Sequence, residues 1–169
     1  SGASVPFKYK GANQTDIVTN GDVEAAEPSV NSQIIRDGTF ATVASSTDHA
    51  RGGSNSLKVT GDGTDNHYYG FWVHNTDLAA YTDKRIRLTA YVYIPAGNTT
   101  FTDAVIGTGE YATETTTGAW TKMVWEGQPN GWVIFGGLSG DNDPSAESIY
   151  FDDISIVPIG AVAEYDGSG

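Results

Sequence analysis

The 169-residue chain predicts an all-β fold of two antiparallel sheets packed as a sandwich, on three observations. Apolar residues do not recur at helical spacing in any long window. Many short runs instead alternate and stop at Gly, Asn, Asp or Pro. Thr, Val, Ile and Tyr dominate these runs, with 21 Gly between them, a composition suited to pleated, half-buried strands and tight turns. The length suits one core that removes roughly 68–70% of the unfolded chain's surface from water.

Nine strands are expected, at 16–19, 34–43, 56–60, 66–74, 85–94, 101–106, 120–126, 132–138 and 149–157. The clearest is 85–94, where Ile86, Leu88, Ala90, Val92 and Ile94 share one parity and Arg85, Arg87, Thr89, Tyr91 and Tyr93 the other. In 66–74, His67, Tyr69, Phe71 and Val73 form the more apolar set. Asn66, Tyr68, Gly70, Trp72 and His74 are assigned to the outer face. The intervening turns are built from Gly61-Asp62-Gly63, Pro95-Ala96-Gly97-Asn98, Gly127-Gln128-Pro129-Asn130 and the acidic stretch 139–144. Residues 1–16 are read as an N-terminal segment whose Ser1-Gly2 is a cloning scar, 17–159 as the folded module, and 160–169 as a linker to an absent following domain.

The charge excludes several partners. With 9 Lys and Arg against 21 Asp and Glu, the net charge of −12 repels nucleic acid and anionic membranes and leaves neutral ligands, cationic surfaces and divalent metals. No stretch has the roughly 20 apolar residues of a membrane-spanning helix. Catalysis is not indicated. Cys is absent, and the sequence contains no Gly-x-Ser-x-Gly elbow, no His-Glu-x-x-His pair, no phosphate loop and no carboxylate pair that stands out for glycoside hydrolysis. The chain is expected to be a non-enzyme.

Three separated segments carry a family resemblance. They are Val18-Thr19-Asn20-Gly21-Asp22-Val23-Glu24, the hairpin stretch His49-Ala50-Arg51-Gly52-Gly53-Ser54-Asn55-Ser56-Leu57-Lys58-Val59, and Gly118-Ala119-Trp120-Thr121-Lys122-Met123 taken with Tyr150-Phe151-Asp152-Asp153-Ile154-Ser155-Ile156. Their order and spacing resemble the jelly-roll carbohydrate-binding modules of families four, nine, sixteen and twenty-two. That resemblance implies jelly-roll topology and a non-catalytic module, monomeric within a larger protein, that binds a polysaccharide of β-glucan, xylan or mannan type. It also implies a structural calcium ion held by Glu24 and Asp152, with Asp22 and the loop at Arg51 and Ser54 contributing carbonyls. Asp152 shares parity with Ile154 and Ile156 and is expected to face inward, where a cation would compensate its charge. Asp141 to Asp143 could form a second site but read more simply as a solvated turn. The ending from Gly160 to Gly169 resembles the lead-in to concanavalin-like domains of phage tail and virion proteins. The alternative function is therefore a structural or adhesive virion domain, and the expected location is extracellular or on a virion surface.

Sugar rings present apolar C–H faces beside hydroxyl edges, so their site needs exposed aromatic planes next to hydrogen-bonding groups. In the resembling modules the strand equivalent to 66–74 lies in the concave sheet. That implies Trp72 as the stacking residue, Tyr68 and His74 beside it, and Trp132 as a second platform. Arg36, Asp103 and Tyr111 are the expected polar partners. Trp120 is expected to pack, and Tyr91 and Tyr93 to lie on the opposite sheet.

Overall fold

The computed structural model describes residues 7–10, 15–30, 33–34, 41–63, 68–138, 146–159 and 162–165. The strands are β1 (Phe7–Lys10), β2 (Val18–Thr19), β3 (Ser29–Val30), β4 (Gln33–Ile34), β5 (Ala41–Ser46), β6 (Ser56–Gly61), β7 (Tyr68–Val73), β8 (Arg85–Tyr93), β9 (Ala104–Thr108), β10 (Glu110–Glu114), β11 (Trp120–Gly127), β12 (Val133–Leu138), β13 (Ser148–Ile159) and β14 (Val162–Tyr165). A five-stranded sheet in the order β11-β8-β13-β6-β5 faces a four-stranded sheet in the order β10-β9-β12-β7, with every neighbouring pair antiparallel. The fold is an antiparallel jelly-roll sandwich.

Alternation decides which faces meet. Leu57 and Val59 of β6, Ile86, Leu88, Ala90 and Val92 of β8, and Ile149, Phe151 and Ile156 of β13 are buried from one side; Tyr69, Phe71 and Val73 of β7 and Phe135 of β12 are buried from the other. The centre is aromatic. Phe71 and Phe135 stack at 5.0 Å across neighbouring strands, and Phe151 of the opposite sheet meets Phe71 edge-on at 5.4 Å.

Several elements differ from the sequence reading. The expected strand 101–106 begins at Ala104, because Phe101 leaves the sheet to plug the core beside Tyr69, with ring centroids 5.8 Å apart. The run Glu110–Glu114 is a strand whose polar composition did not announce it. The segment 160–169, read as a strandless linker, contains β14, which pairs antiparallel with β1 from the N-terminal segment, Phe7 opposite Tyr165 and Lys10 opposite Val162. Two four-residue runs over a hundred residues apart complete each other, and neither is legible alone.

The largest correction is in β13. Its pairing with β8 slips between Asp152 and Ser155, and Asp153 takes a positive φ of 49°. This bulge resets the parity. Asp152 stands opposite Tyr91 and so belongs to the outer face of the five-stranded sheet, whereas Ile154 joins the core. Asp152 is nonetheless only 1% exposed. The carboxylate is covered by the 51–55 segment rather than directed into the core.

Candidate functional site

The outer face of the four-stranded sheet gathers most of the expected sugar-contacting residues that the structure describes. Directly opposed residues share a face, and the registers put Trp72 opposite Ile134, Ile134 opposite Gly107 and Gly107 opposite Tyr111. One row thus crosses all four strands, with Trp72 on the outer strand β7 and Tyr111 on the outer strand β10. At roughly 4.8 Å per strand spacing, the two backbones are about 14 Å apart.

At the β7 end the aromatic rings cluster. Trp132 stands just before β12, where chain continuity puts it beside His74, and the two rings lie 4.2 Å apart at 35°. Trp72 meets Trp132 edge to face at 5.6 Å and 84°. Trp132 remains 43% exposed. Such an open indole plane supported from below by other rings can accept the apolar face of a sugar ring. Asp103, just before β9, is partly buried and hydrogen-bonded or otherwise engaged. Tyr68 is on β7 with the parity of Trp72, but its side chain, like Arg36, His67 and the acidic stretch 141–143, lies outside the described residues.

The floor of this face is apolar or bare. Ile134 and Val105 are fully buried although their registers place them on the outer side, with Gly70, Gly107 and Gly136 around them. The sequence reading missed this floor. Its signal is the pair of runs Val133-Ile134-Phe135 and Ala104-Val105-Ile106, apolar on both parities and so characteristic of strands covered on both sides.

The expected metal ligands meet the 51–55 segment from two directions. Glu24 Oε1 accepts the backbone N–H groups of Ser54 at 2.9 Å and Asn55 at 2.7 Å. Asp152 Oδ2 accepts the Arg51 N–H at 2.9 Å, and its Oδ1 the Asp153 N–H at 2.8 Å. The Arg51 guanidinium pairs with the Asp153 carboxylate and covers the ring of Tyr91, 3.5 Å from its centroid. Burial raises the Asp152 pKa against the pull of these donors, and the Asp153 charge raises it further. Asp22 Oδ1 accepts the Glu24 N–H at 3.5 Å. Asp22 also lines a polar cavity of about 290 Å³ with Asp16, Gly21 and Asp153. Among the described residues no three acidic or imidazole side chains gather to hold a metal by themselves.

The other two tryptophans pack elsewhere. Trp125 gives its indole N–H to the Glu110 carbonyl at 2.8 Å and packs on the core between the two sheets. Trp120 meets Tyr93 on the five-stranded sheet, where His49 also stacks on Tyr93 at 4.3 Å.

No protein-family model and no curated protein sequence matches this chain. Solved structures do. The N-terminal tandem of family 22 carbohydrate-binding modules from Paenibacillus barcinonensis Xyn10C aligns with a TM-score of 0.54 and 20% identity, over 80% of this chain and 46% of that one. The C-terminal family 22 module of Clostridium thermocellum Xyn10B aligns at 0.51 with 15% identity, over 75% of this chain and 86% of that one. The fold is that of family 22 carbohydrate-binding modules. The same architecture also aligns with part of an arabinose-bound α-L-arabinofuranosidase, MgGH51, at a TM-score of 0.57 and 15% identity, over 85% of this chain and 26% of that one. This chain therefore spans less than half of the tandem and about a quarter of the arabinofuranosidase. A carbohydrate-binding-module fold at these identities establishes architecture; what this chain binds must be argued from its own residues.

Proposed function

We propose that the chain is a non-catalytic carbohydrate-binding module of a secreted or virion-surface protein, and that it holds a polysaccharide against the outer face of its four-stranded sheet. The observation that carries this reading is the Trp72, His74 and Trp132 ring cluster, which leaves one indole substantially open at the end of an apolar-floored row. The CBM22-1 domain of Paenibacillus barcinonensis Xyn10C, which aligns at a TM-score of 0.50 and 15% identity, is a xylan-binding domain, and this makes xylan the first polysaccharide to try. The net charge of −12 favours neutral chains over acidic ones.

The expected result in affinity electrophoresis is retardation by at least one of soluble xylan, mixed-linkage β-glucan and mannan. Trp132→Ala should weaken it at least tenfold, because a stacked aromatic platform contributes well over 1 kcal/mol when removed. Retardation that survives Trp132→Ala would disprove the site. No retardation of the native chain by any of the three would favour the structural or adhesive virion domain.

We also propose that calcium binds beside the 51–55 segment, held by the carboxylates of Glu24 and Asp152. The fit lies in charge and burial. Asp152 is buried with a like-charged neighbour, and a divalent cation would supply the missing positive charge. Among the described residues side chains do not supply a full ligand set, so carbonyls and water would complete it. Bound there, the ion would tie the turn after β2 to β13. EDTA is expected to lower the melting temperature by several degrees, and added calcium to restore it. Because the proton competes for Asp152, the effect should fade as pH falls. An EDTA-insensitive melting temperature would leave the backbone N–H groups and the Arg51–Asp153 ion pair as the clamp.

A further inference from the structure

We propose that the Trp72 indole N–H donates a hydrogen bond to an oxygen of the bound sugar chain, so that Trp72 reads a polar atom while Trp132 supplies the flat apolar surface. This rests on the reading of the face as a polysaccharide site. It reverses the sequence-based assignment of Trp72 as the stacking platform.

Trp72 Nε1 is shielded from solvent and has no hydrogen-bond partner. A buried donor left unmade is unfavourable, and native folds leave few of them. Trp125 shows the ordinary solution in this same protein, its N–H satisfied by the Glu110 carbonyl. Among the described residues the surroundings of Trp72 offer no comparable acceptor. Across the sheet it faces Ile134, beyond which lies Gly107, and along β7 its nearest residue of the same parity on one side is Gly70. On the other side the His74 ring is engaged with Trp132, and Trp132 itself presents an aromatic ring to Trp72.

With none among the described residues, the acceptor comes from the ligand. Trp132 is the neighbour open to solvent, 43% exposed. A ligand seated on Trp132 that shifts this ring brings its oxygens to the edge of Trp72. Hydroxyl and ring oxygens of a sugar satisfy the donor; a purely apolar ligand cannot. The same unmade bond that burdens the free protein then discriminates in favour of oxygen-bearing ligands.

The four tryptophans give four indole signals in a proton–nitrogen correlation spectrum, and Trp72→Phe identifies one of them. Titration with xylohexaose, cellohexaose and mannohexaose in turn should move the Trp72 indole proton downfield for at least one sugar. Trp72→Phe should bind that sugar roughly tenfold more weakly, equivalent to about 1.4 kcal/mol. Its melting temperature should fall by no more than a few degrees, because the lost donor made no bond in the free protein. Movement of the Trp132 signal alone, with native affinity in Trp72→Phe, would overturn the donor role and leave the polysaccharide reading standing. No movement of any indole signal with any of the three sugars would overturn both. If Trp72→Phe fails to fold, Trp120→Phe, Trp125→Phe and Trp132→Phe identify the Trp72 signal by elimination, and the native titration decides.

Discussion

Glu147→Gln is expected to destabilise the sandwich by about 2–4 kcal/mol at neutral pH, the range for losing several charge-assisted hydrogen bonds at a half-buried carboxylate. Glu147 Oε1 accepts from the Thr99 N–H at 2.8 Å and hydroxyl at 2.9 Å. Its Oε2 accepts from the Thr100 N–H at 2.8 Å and hydroxyl at 2.9 Å, and from the Phe101 N–H at 2.7 Å. Five donors thus converge on one carboxylate. A glutamine amide would turn an NH₂ group toward some of them. Burial alone would raise the Glu147 pKa, but the Phe101, Thr99 and Thr100 N–H groups outweigh it and hold the carboxyl at about 2, against an ordinary 4.5.

The sign of the pH dependence follows. A carboxylate whose pKa is depressed in the folded state contributes stability that is fully present above about 4.5 and is lost as pH falls toward about 2. The native chain and Glu147→Gln should therefore differ most at neutral pH and converge in that acid window, as read by urea unfolding at several pH values. A difference that stays constant from pH 6 to pH 2 would show that the charge is not its source. The clamp reaches the candidate site through Phe101, which it anchors in the core against Tyr69, the residue that precedes Gly70 and Phe71 on β7.

What was legible in the sequence follows from where water lies. In 85–94 one face is wet, so Ile86, Leu88, Ala90 and Val92 stand out from Arg87, Thr89, Tyr91 and Tyr93, and the burial alternates as written. β7 was readable for the same reason, which placed Trp72 and His74 opposite Tyr69, Phe71 and Val73. β9 and β12 carry no such contrast, and their outer residues Val105 and Ile134 became visible as a floor only through register. The bulge at Asp153 left no mark in the residue pattern, because nothing there requires a glycine; the parity of Asp152 was therefore read wrongly although its burial was expected. The pairing of β1 with β14, and the touching of Trp72 with Trp132 across 60 residues, are tertiary facts that no local run contains.

Gly136→Ala is expected to damage both fold and site. Gly136 and Gly70 face each other midway along β12 and β7, two residues from the Trp72–Ile134 pair. A Cβ on Gly136 would lie 1.8 Å from the Tyr69 carbonyl oxygen, and one on Gly70 would lie 2.1 Å from that of Phe135. The obstructing atoms are backbone, so the strands themselves would have to separate. Separation would strain the register that aligns Trp72, Ile134 and Gly107 and would shift Trp132 relative to His74. A loss of more than about 3 kcal/mol is expected by urea unfolding, the magnitude of severe overpacking in a core. Gly97→Ala is the matched control, since a Cβ there meets nothing within 4 Å and the change should stay within about 0.5 kcal/mol. If Gly136→Ala folds with native stability and is retarded by polysaccharide as strongly as the native chain, the close approach of β7 and β12 is not what shapes this face.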